Sequence, residues 1–236
     1  MKKGYKNSVL HELYKNYFIK LHASEKGLEY TSTKLANTDV LKRFHITKKN
    51  HILDAGCGDG LFIESALKRG FFCEGFDSNE DFIQICRKKG ITVKYADLSN
   101  KLPYKDETFD GIYCSNVFEH LTQPEFALYE LMRILKKDGL LIISVPEKDN
   151  ELFYDDWTHI KSFNKLTFKN LTMCFDIKNY CVYERHFPVL VKYWKNPIVK
   201  IFNTIVKKGI LAKIFTYIVE KIIKIRRHDL IFEVRK

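Results

Sequence analysis

His51-Ile-Leu-Asp-Ala-Gly-Cys-Gly-Asp-Gly60 runs from a short apolar stretch into glycines at alternating positions, and Leu61 to Arg69 then follows a helical pattern. A strand that breaks on glycines and restarts as a helix marks a sharp turn. Glycine takes positive φ without steric cost and lets a ligand approach bare main chain. The spacing excludes the dinucleotide fingerprint G-x-G-x-x-G, whose third glycine would fall on Leu61. What such a loop holds is decided by the segments that follow.

Phe71-Phe-Cys-Glu-Gly-Phe-Asp77 predicts a second strand ending in a carboxylate, placed to accept hydrogen bonds from two ribose hydroxyls. Ser78-Asn-Glu-Asp81 predicts a helix cap, with Phe82, Ile85 and Cys86 as the buried face and Gly90 as the stop. Ile91 to Ala96 predicts a third strand, ending at Asp97-Leu98. Leu102-Pro-Tyr-Lys-Asp-Glu-Thr-Phe-Asp110 leads into a fourth, Gly111 to Ser115, followed by Asn116-Val-Phe-Glu-His120. Thr122-Gln-Pro-Glu125 predicts a capping box with proline in the first turn. Leu128, Leu131, Met132 and Leu135 then recur at helical spacing, Lys136-Lys-Asp-Gly139 closes that helix, and Leu140 to Pro146 is strand five. Ile177 to Phe187 and His228 to Arg235 predict the last two strands. Strands alternating with helices predict a parallel sheet covered on both faces, with ligands at the carboxyl ends of its strands.

The order of these passages resembles the class I, Rossmann-like S-adenosylmethionine-dependent methyltransferases. The likeness is close over about residues 47–150, looser over Ile160 to Phe187, and leans toward type 11 and 23 bacterial members that modify small molecules and glycans. The resemblance implies a doubly wound, mostly parallel seven-stranded α/β sheet in which one of the last two strands is antiparallel. It implies that Asp54, Ala55, Gly56, Cys57 and Gly58 cradle the cofactor, that Asp77 with Ser78 holds its ribose, and that Asp97 with Leu98 holds its adenine, Asp97 taking the amino group. Asn116, following strand four, completes that set.

A chain of 236 residues fits one domain with a sizeable core. It divides into a helical cap over 1–46, a core over 47–189, a helical insert over 190–227 and a final strand over 228–236. There is no apolar run long enough to span a bilayer and no apolar leader near Met1, so a cytoplasmic protein is expected. The six cysteines show no C-x-x-C pair, which suits reduced thiols used as small hydrophobes rather than a disulfide frame or a zinc site. The net charge of +11 is concentrated in the insert: between Leu190 and Arg227 ten Lys or Arg face a single acid, Glu220. There Leu211, Ile214, Phe215, Ile218, Ile222 and Ile225 form an apolar stripe opposite Lys213, Tyr217, Glu220, Lys221, Lys224 and Arg227. Two readings stand: a helical pair capping the site, or a peripheral contact with anionic membrane. The same stripe could also join two subunits, so the oligomeric state is open.

S-adenosylmethionine brings its own activated electrophile, a methyl on a cationic sulfur. The protein's task is to align an acceptor lone pair, exclude water and, for a hydroxyl, remove a proton. His159, in Asp155-Asp-Trp-Thr-His-Ile-Lys-Ser-Phe163, is the first candidate base, since histidine titrates near neutrality. This passage resembles the D-x-T-H-x-x-x-F segment of glycan-modifying family members. His120, with Glu119 beside it, is the second candidate. A structural role for His159, tying its loop to the sheet, is the competing reading. Asp155 and Asp156 suggest a metal, but no further ligands stand at a readable spacing, so none is expected. The helices expected over Ser8–Tyr17 and Thr33–Phe44, with His11, Tyr14, Tyr17 and Tyr30, line the pocket or pack on the sheet.

The expected function is methyl transfer to a small or sugar-like acceptor, at oxygen. A nucleic-acid methyltransferase would use the basic insert, but no separate RNA-binding module or base-flipping motif follows strand four. A nicotinamide oxidoreductase fails at the glycine spacing. A non-catalytic member that only binds the cofactor would keep the same loop.

Overall fold

The computed structural model describes residues 40–44, 50–146, 153–187 and 227–236. The expected helix over Ser8–Tyr17, the residues before 40, and the insert up to residue 226 lie outside them. In chain order the elements are β1 (His51–Ala55), α1 (Leu61–Leu67), β2 (Phe72–Asp77), α2 (Glu80–Lys88), β3 (Val93–Tyr95) and β4 (Phe109–Ser115). A 3-10 turn at Phe118–His120 precedes α3 (Pro124–Ile134) and β5 (Leu135–Pro146). A second such turn, Phe153–Asp155, leads to α4 (Lys165–Cys174), β6 (Tyr180–Phe187) and β7 (Arg227–Arg235). They build one seven-stranded sheet in the order β3-β2-β1-β4-β5-β7-β6. Strands β1 to β5 pair in parallel, and β7 runs antiparallel between β5 and β6. This is the expected fold.

Period-two alternation sorts the core into two layers. Leu53, Ile112, Leu141, Ile143 and Phe232 point to one face, where Ala127, Leu128, Leu131 and Ile134 of α3 and Phe168 of α4 cover them. Ile52, Tyr113, Leu140, Ile142 and Ile231 point to the other, covered by Phe62, Ile63 and Ala66 of α1, Ile83 and Cys86 of α2, and Val40, Leu41 and Phe44. Fully burying one such side chain is worth roughly 1.5–3 kcal/mol, so both faces are closed by their own helices. On the first face an aromatic ladder runs Phe118–Phe163–Phe168–Phe232, with ring centroids 6.3, 5.2 and 4.5 Å apart. It ties the turn after β4 to β7 through α4.

Several local expectations need correction. The cap of α2 is Asn79, whose side chain accepts from the Asp81 N–H, while the preceding carboxylate, Asp77, accepts from the Asn79 N–H. Its buried face uses Ile83 rather than Ile85 beside Phe82 and Cys86. No capping box forms at α3: Gln123 is the cap, makes no side-chain bond, and leaves Pro124 at the helix start. Leu135 to Gly139 belong to β5, not to a helix end. A register shift between Phe109 and Gly111 takes up Lys136 to Gly139, with Asp138 at φ +62°. Strands β3 and β6 begin later than expected, at Val93 and Tyr180.

The Leu102–Asp110 passage is held by a clamp that sequence reading missed. Arg133 donates Nε and Nη2 to the two oxygens of Glu130 at 2.9 and 2.7 Å, and Nη1 to Tyr104 O at 2.8 Å and Asp106 Oδ1 at 2.7 Å. Glu130 also accepts the Leu102 N–H at 2.8 Å. Asp110 receives the His51 N–H at 2.8 Å, fastening the start of β1. The amino ends of β1 and β4 are thereby held side by side, which sets the register in which their carboxyl ends carry the candidate site.

Candidate active site

The glycine loop leaves the carboxyl end of β1 with Gly56, Gly58 and Gly60 at φ +77°, +52° and +84°. Their surroundings differ. A Cβ on Gly56 would stand 2.5 Å from Val117 Cγ2, and one on Gly60 would stand 2.8 Å from Ile91 Cδ1 and 3.0 Å from Cys86 Sγ. Beside Gly58 nothing among the described residues lies within 4 Å. Two of the glycines are therefore demanded by the protein's own packing, and the bare main chain facing open space is at Gly58.

Asp77, at the end of β2, grips this loop: its Oδ2 accepts the Gly58 N–H at 2.9 Å and its Oδ1 the Asn79 N–H at 2.8 Å. Ser78 follows at the same strand end, exposed. Asp54 is 4% exposed. Burial raises its pKa well above the usual carboxylate range, and the neighbouring charge of Asp77 adds to the rise. A buried acid whose charged neighbours share its sign calls for a cation. Ala55 is wholly buried, and Cys57 nearly so. The fold brings Cys57 and Cys86 together although they are distant in sequence: both thiols donate to Gly58 O, at 3.8 and 3.3 Å. All six cysteines are free.

Asp97 lies past the end of β3, where its Oδ1 accepts the Ser99 N–H at 2.8 Å and its Oδ2 the Asn100 amide at 3.3 Å. The Leu98 side chain is packed in the core. Asn116, past β4, is exposed, has φ +53°, and donates its N–H to Ser144 O at 2.9 Å. Asp54, Asp77, Asp97 and Asn116 thus all stand at carboxyl ends of neighbouring parallel strands, where open α/β sheets bind ligands.

His120 and His159 come together, their ring centroids 4.9 Å apart. The Ile160 and Lys161 N–H groups donate to Glu119 O at 2.9 and 3.0 Å, pinning the 156–161 segment to the turn after β4. His159 Nδ1 is 2.6 Å from Phe153 O, so its N–H is there and Nε2 carries the lone pair. That Nε2 lies 3.7 Å from Asp156 Oδ2 and 4.0 Å from Glu119 Oε1. Thr158 donates its hydroxyl to Asp156 Oδ1 at 2.6 Å, leaving its oxygen and carbonyl to accept from His120 Nδ1 at 3.0 and 3.2 Å. Burial lowers the His120 pKa, helped by the neighbouring imidazole and opposed by the Thr158 carbonyl. Burial also works against ionised Asp156, but the Thr158 hydroxyl and N–H outweigh it and hold the carboxyl below its usual range. Glu119 is fully buried.

The profile of a methyltransferase domain family matches residues 53–143. Over these residues the chain is similar to a methyltransferase domain. The match spans β1 through most of β5, the strands that carry the glycine loop, Asp77, Asp97 and Asn116. Over 140 residues the chain is 31% identical to an Arabidopsis thaliana tRNA (carboxymethyluridine(34)-5-O)-methyltransferase, covering 56% of this chain and 34% of that one. Over 107 residues it is 29% identical to a ubiquinone biosynthesis O-methyltransferase of Coxiella burnetii, covering 43% and 46%. The chain spans about half or less of the length of the curated relatives it matches. A crystal structure of an S-adenosylmethionine-dependent methyltransferase from Archaeoglobus fulgidus superposes with TM-score 0.66 at 20% identity, over 93% of this chain and 100% of that one. At that identity the likeness is one of fold. The residues present fit S-adenosylmethionine on two observations among the described residues: the open space at Gly58, and the buried Asp54 beside Asp77, two acids whose mutual repulsion a cationic sulfur would relieve. Among the described residues no helix is long and apolar enough to cross a membrane.

Proposed function

We propose that this chain transfers a methyl group from S-adenosylmethionine to an oxygen of a small or sugar-like acceptor. When bound, the cofactor supplies a methyl carbon already activated on a cationic sulfur. Gly58, with Ala55, Gly56 and Cys57 shaping the turn, lets the cofactor lie against main chain. Asp54 balances the positive charge. Asp77 with Ser78 holds the ribose hydroxyls, Asp97 with Leu98 the adenine, and Asn116 closes the edge past β4. The C–O bond forms as the C–S bond breaks, the electron pair leaving with sulfur, and the hydroxyl proton passes to an imidazole. His159 serves as that base, with its Nδ1 anchored on Phe153 O so that Nε2 accepts. His120, held neutral by burial, is the alternative. A positioned base contributes roughly 100- to 10,000-fold.

One observation carries the cofactor half: bare main chain at Gly58 opens onto unfilled space at the end of β1, within reach of two acids. The acceptor half is supported by the paired histidines, reached within three residues of Val117, which touches the loop, and by the exposed Tyr154 and Trp157 rings beside them. Such rings offer an apolar face with a polar edge to a ring-shaped acceptor. A second reading, an RNA acceptor, is favoured by the tRNA-methylating relative and by the basic 190–227 segment. The test is calorimetric titration with S-adenosylhomocysteine, then radiolabelled methyl transfer to panels of sugars, phenols and RNA. Absence of heat would end the cofactor reading. Transfer to RNA alone would replace the small acceptor.

A further inference from the structure

We propose that Glu119, His120 and His159 form a binding site for one divalent transition-metal ion, with Asp156 as the acid beside it. Each offers a ligand atom, and these atoms all lie within 4.8 Å of one another. Cis ligands about 2.1 Å from a metal stand roughly 3–3.4 Å apart, so small side-chain movements complete the set. Proximity is the weaker half of the argument. Metal-ligating histidines characteristically donate their other ring N–H to a carbonyl or carboxylate, which fixes the tautomer and aims the lone pair. Both histidines here do so: His159 Nδ1 is 2.6 Å from Phe153 O, and His120 Nδ1 is 3.2 Å from Thr158 O. Their Nε2 atoms are the positions that would ligate. The Glu119 carboxylate is fully buried, where an ion of opposite sign favours its charged form. Two imidazoles and one carboxylate suit zinc, manganese, cobalt or iron(II) better than the all-oxygen preference of magnesium or calcium. This runs against the sequence expectation of no metal, which looked for ligands beside Asp155 and Asp156 and could not foresee Glu119 and His120 arriving from the turn after β4.

The consequence for chemistry rests on the methyl-transfer reading. Three protein ligands leave positions for a hydroxyl-bearing acceptor, whose pKa an ion lowers. The ligated imidazoles would then orient the acceptor oxygen, and with the ion bound His159 would no longer act as the base: the acidified hydroxyl would lose its proton to solvent. The oxygen attacks the methyl carbon and the C–S electron pair stays on sulfur.

The experiment uses the purified full chain, stripped with a chelator and titrated with Zn2+ by calorimetry and with Co2+ by visible absorption. One ion per chain is expected. In His159→Gln and Glu119→Gln the ion's Kd should rise at least about tenfold, while S-adenosylhomocysteine affinity stays within twofold and reports an intact fold. A second readout needs no substitution: Zn2+ should protect His120 and His159 from diethyl pyrocarbonate, mapped by mass spectrometry. The proposal is overturned if the unaltered chain binds no stoichiometric ion, if both variants bind it as the unaltered chain does, or if both histidines react equally fast with and without Zn2+. Ion binding without any S-adenosylhomocysteine heat would sink the methyl-transfer reading and leave the metal site standing.

Discussion

Alanine at Gly56 should act mainly on stability and alanine at Gly58 mainly on cofactor binding, although both glycines sit in one loop at positive φ. At Gly56 the added Cβ would meet Val117 Cγ2 at 2.5 Å, at φ +77°. The left-handed backbone costs an alanine about 1–2 kcal/mol, and displacing Val117 adds about 1–3 kcal/mol of overpacking. Gly56→Ala should therefore lose roughly 2–5 kcal/mol, which for a chain of this size lowers Tm by roughly 4–20 °C. At Gly58 φ is +52° and nothing among the described residues lies within 4 Å, so only the backbone cost remains. That is about 1–2 kcal/mol, or a Tm lower by roughly 2–8 °C. The new methyl instead fills the space proposed for the cofactor, and the Kd for S-adenosylhomocysteine should rise at least about tenfold, worth about 1.4 kcal/mol. Differential scanning calorimetry and isothermal titration on both variants separate the two effects. The reasoning is refuted if Gly58→Ala binds as the unaltered chain does, or if Gly56→Ala melts above Gly58→Ala.

Three further outcomes follow from the same geometry. Asp77→Ala removes a carboxylate that accepts from Gly58 and Asn79; S-adenosylhomocysteine affinity should fall by about 2–3 kcal/mol, roughly 30- to 150-fold, and an unchanged Kd by calorimetry would mean that the ribose acid lies elsewhere. Asp54→Asn should stabilise the ligand-free chain: the folded pKa of Asp54 is raised by burial and by Asp77, so its penalty is absent below the unfolded value of about 3.9 and grows as pH rises above it. Melting temperatures at pH 5 and pH 8 check this, and a smaller gain at the higher pH would contradict it. Glu130→Gln should cost about 1.5–3 kcal/mol near neutrality by removing the charged acceptor of two Arg133 hydrogen bonds and leaving the half-buried guanidinium only Asp106 as an acid partner. Because Arg133 holds the folded pKa of Glu130 below its unfolded value, the stabilisation is present above about 4.3 and lost as pH falls further; urea midpoints for the two chains should converge in acid, and a constant gap would refute the pairing.

How much of this was legible beforehand depended on whether the deciding partner was local. The alternation of Ile52 with Leu53 and of Ile142 with Ile143 placed both core layers, since a strand's two faces are set by period alone. The glycine loop and the strand-end acids were equally readable, being punctuation within a few residues. Ser78 and Asn79 are both competent caps, and the choice fell to Asn79 because its side chain, not that of Ser78, reaches the Asp81 N–H. Ile83 and Ile85 lie on different sides of α2, and only its tilt on the sheet selects between them. Leu135 continued the α3 spacing so well that the strand beginning there was hidden; its pairing with Phe109 is a tertiary fact. The same holds for Gly56: what fills the space beside it is Val117, far along the chain.

The histidine cluster was the least legible because one short turn, serving both halves of the proposed reaction, brings it together with a distant segment. Val117 packs on Gly56, Phe118 is buried in the aromatic ladder, and Glu119 and His120 face His159. Donor and acceptor halves therefore share a hinge whose anchor is Phe118, fully buried and 6.3 Å from the Phe163 ring. Shrinking that anchor should disturb both halves together. Phe118→Leu keeps the site apolar and costs about 1–3 kcal/mol, less than truncation to alanine at about 3–5 kcal/mol, so the chain stays folded for measurement. The expected result is a weaker S-adenosylhomocysteine Kd, because Val117 no longer presses on Gly56, accompanied by faster diethyl pyrocarbonate modification of His120 and His159, because the turn no longer seats them. A change in one without the other would show that the two halves are supported independently and that the turn after β4 does not couple them.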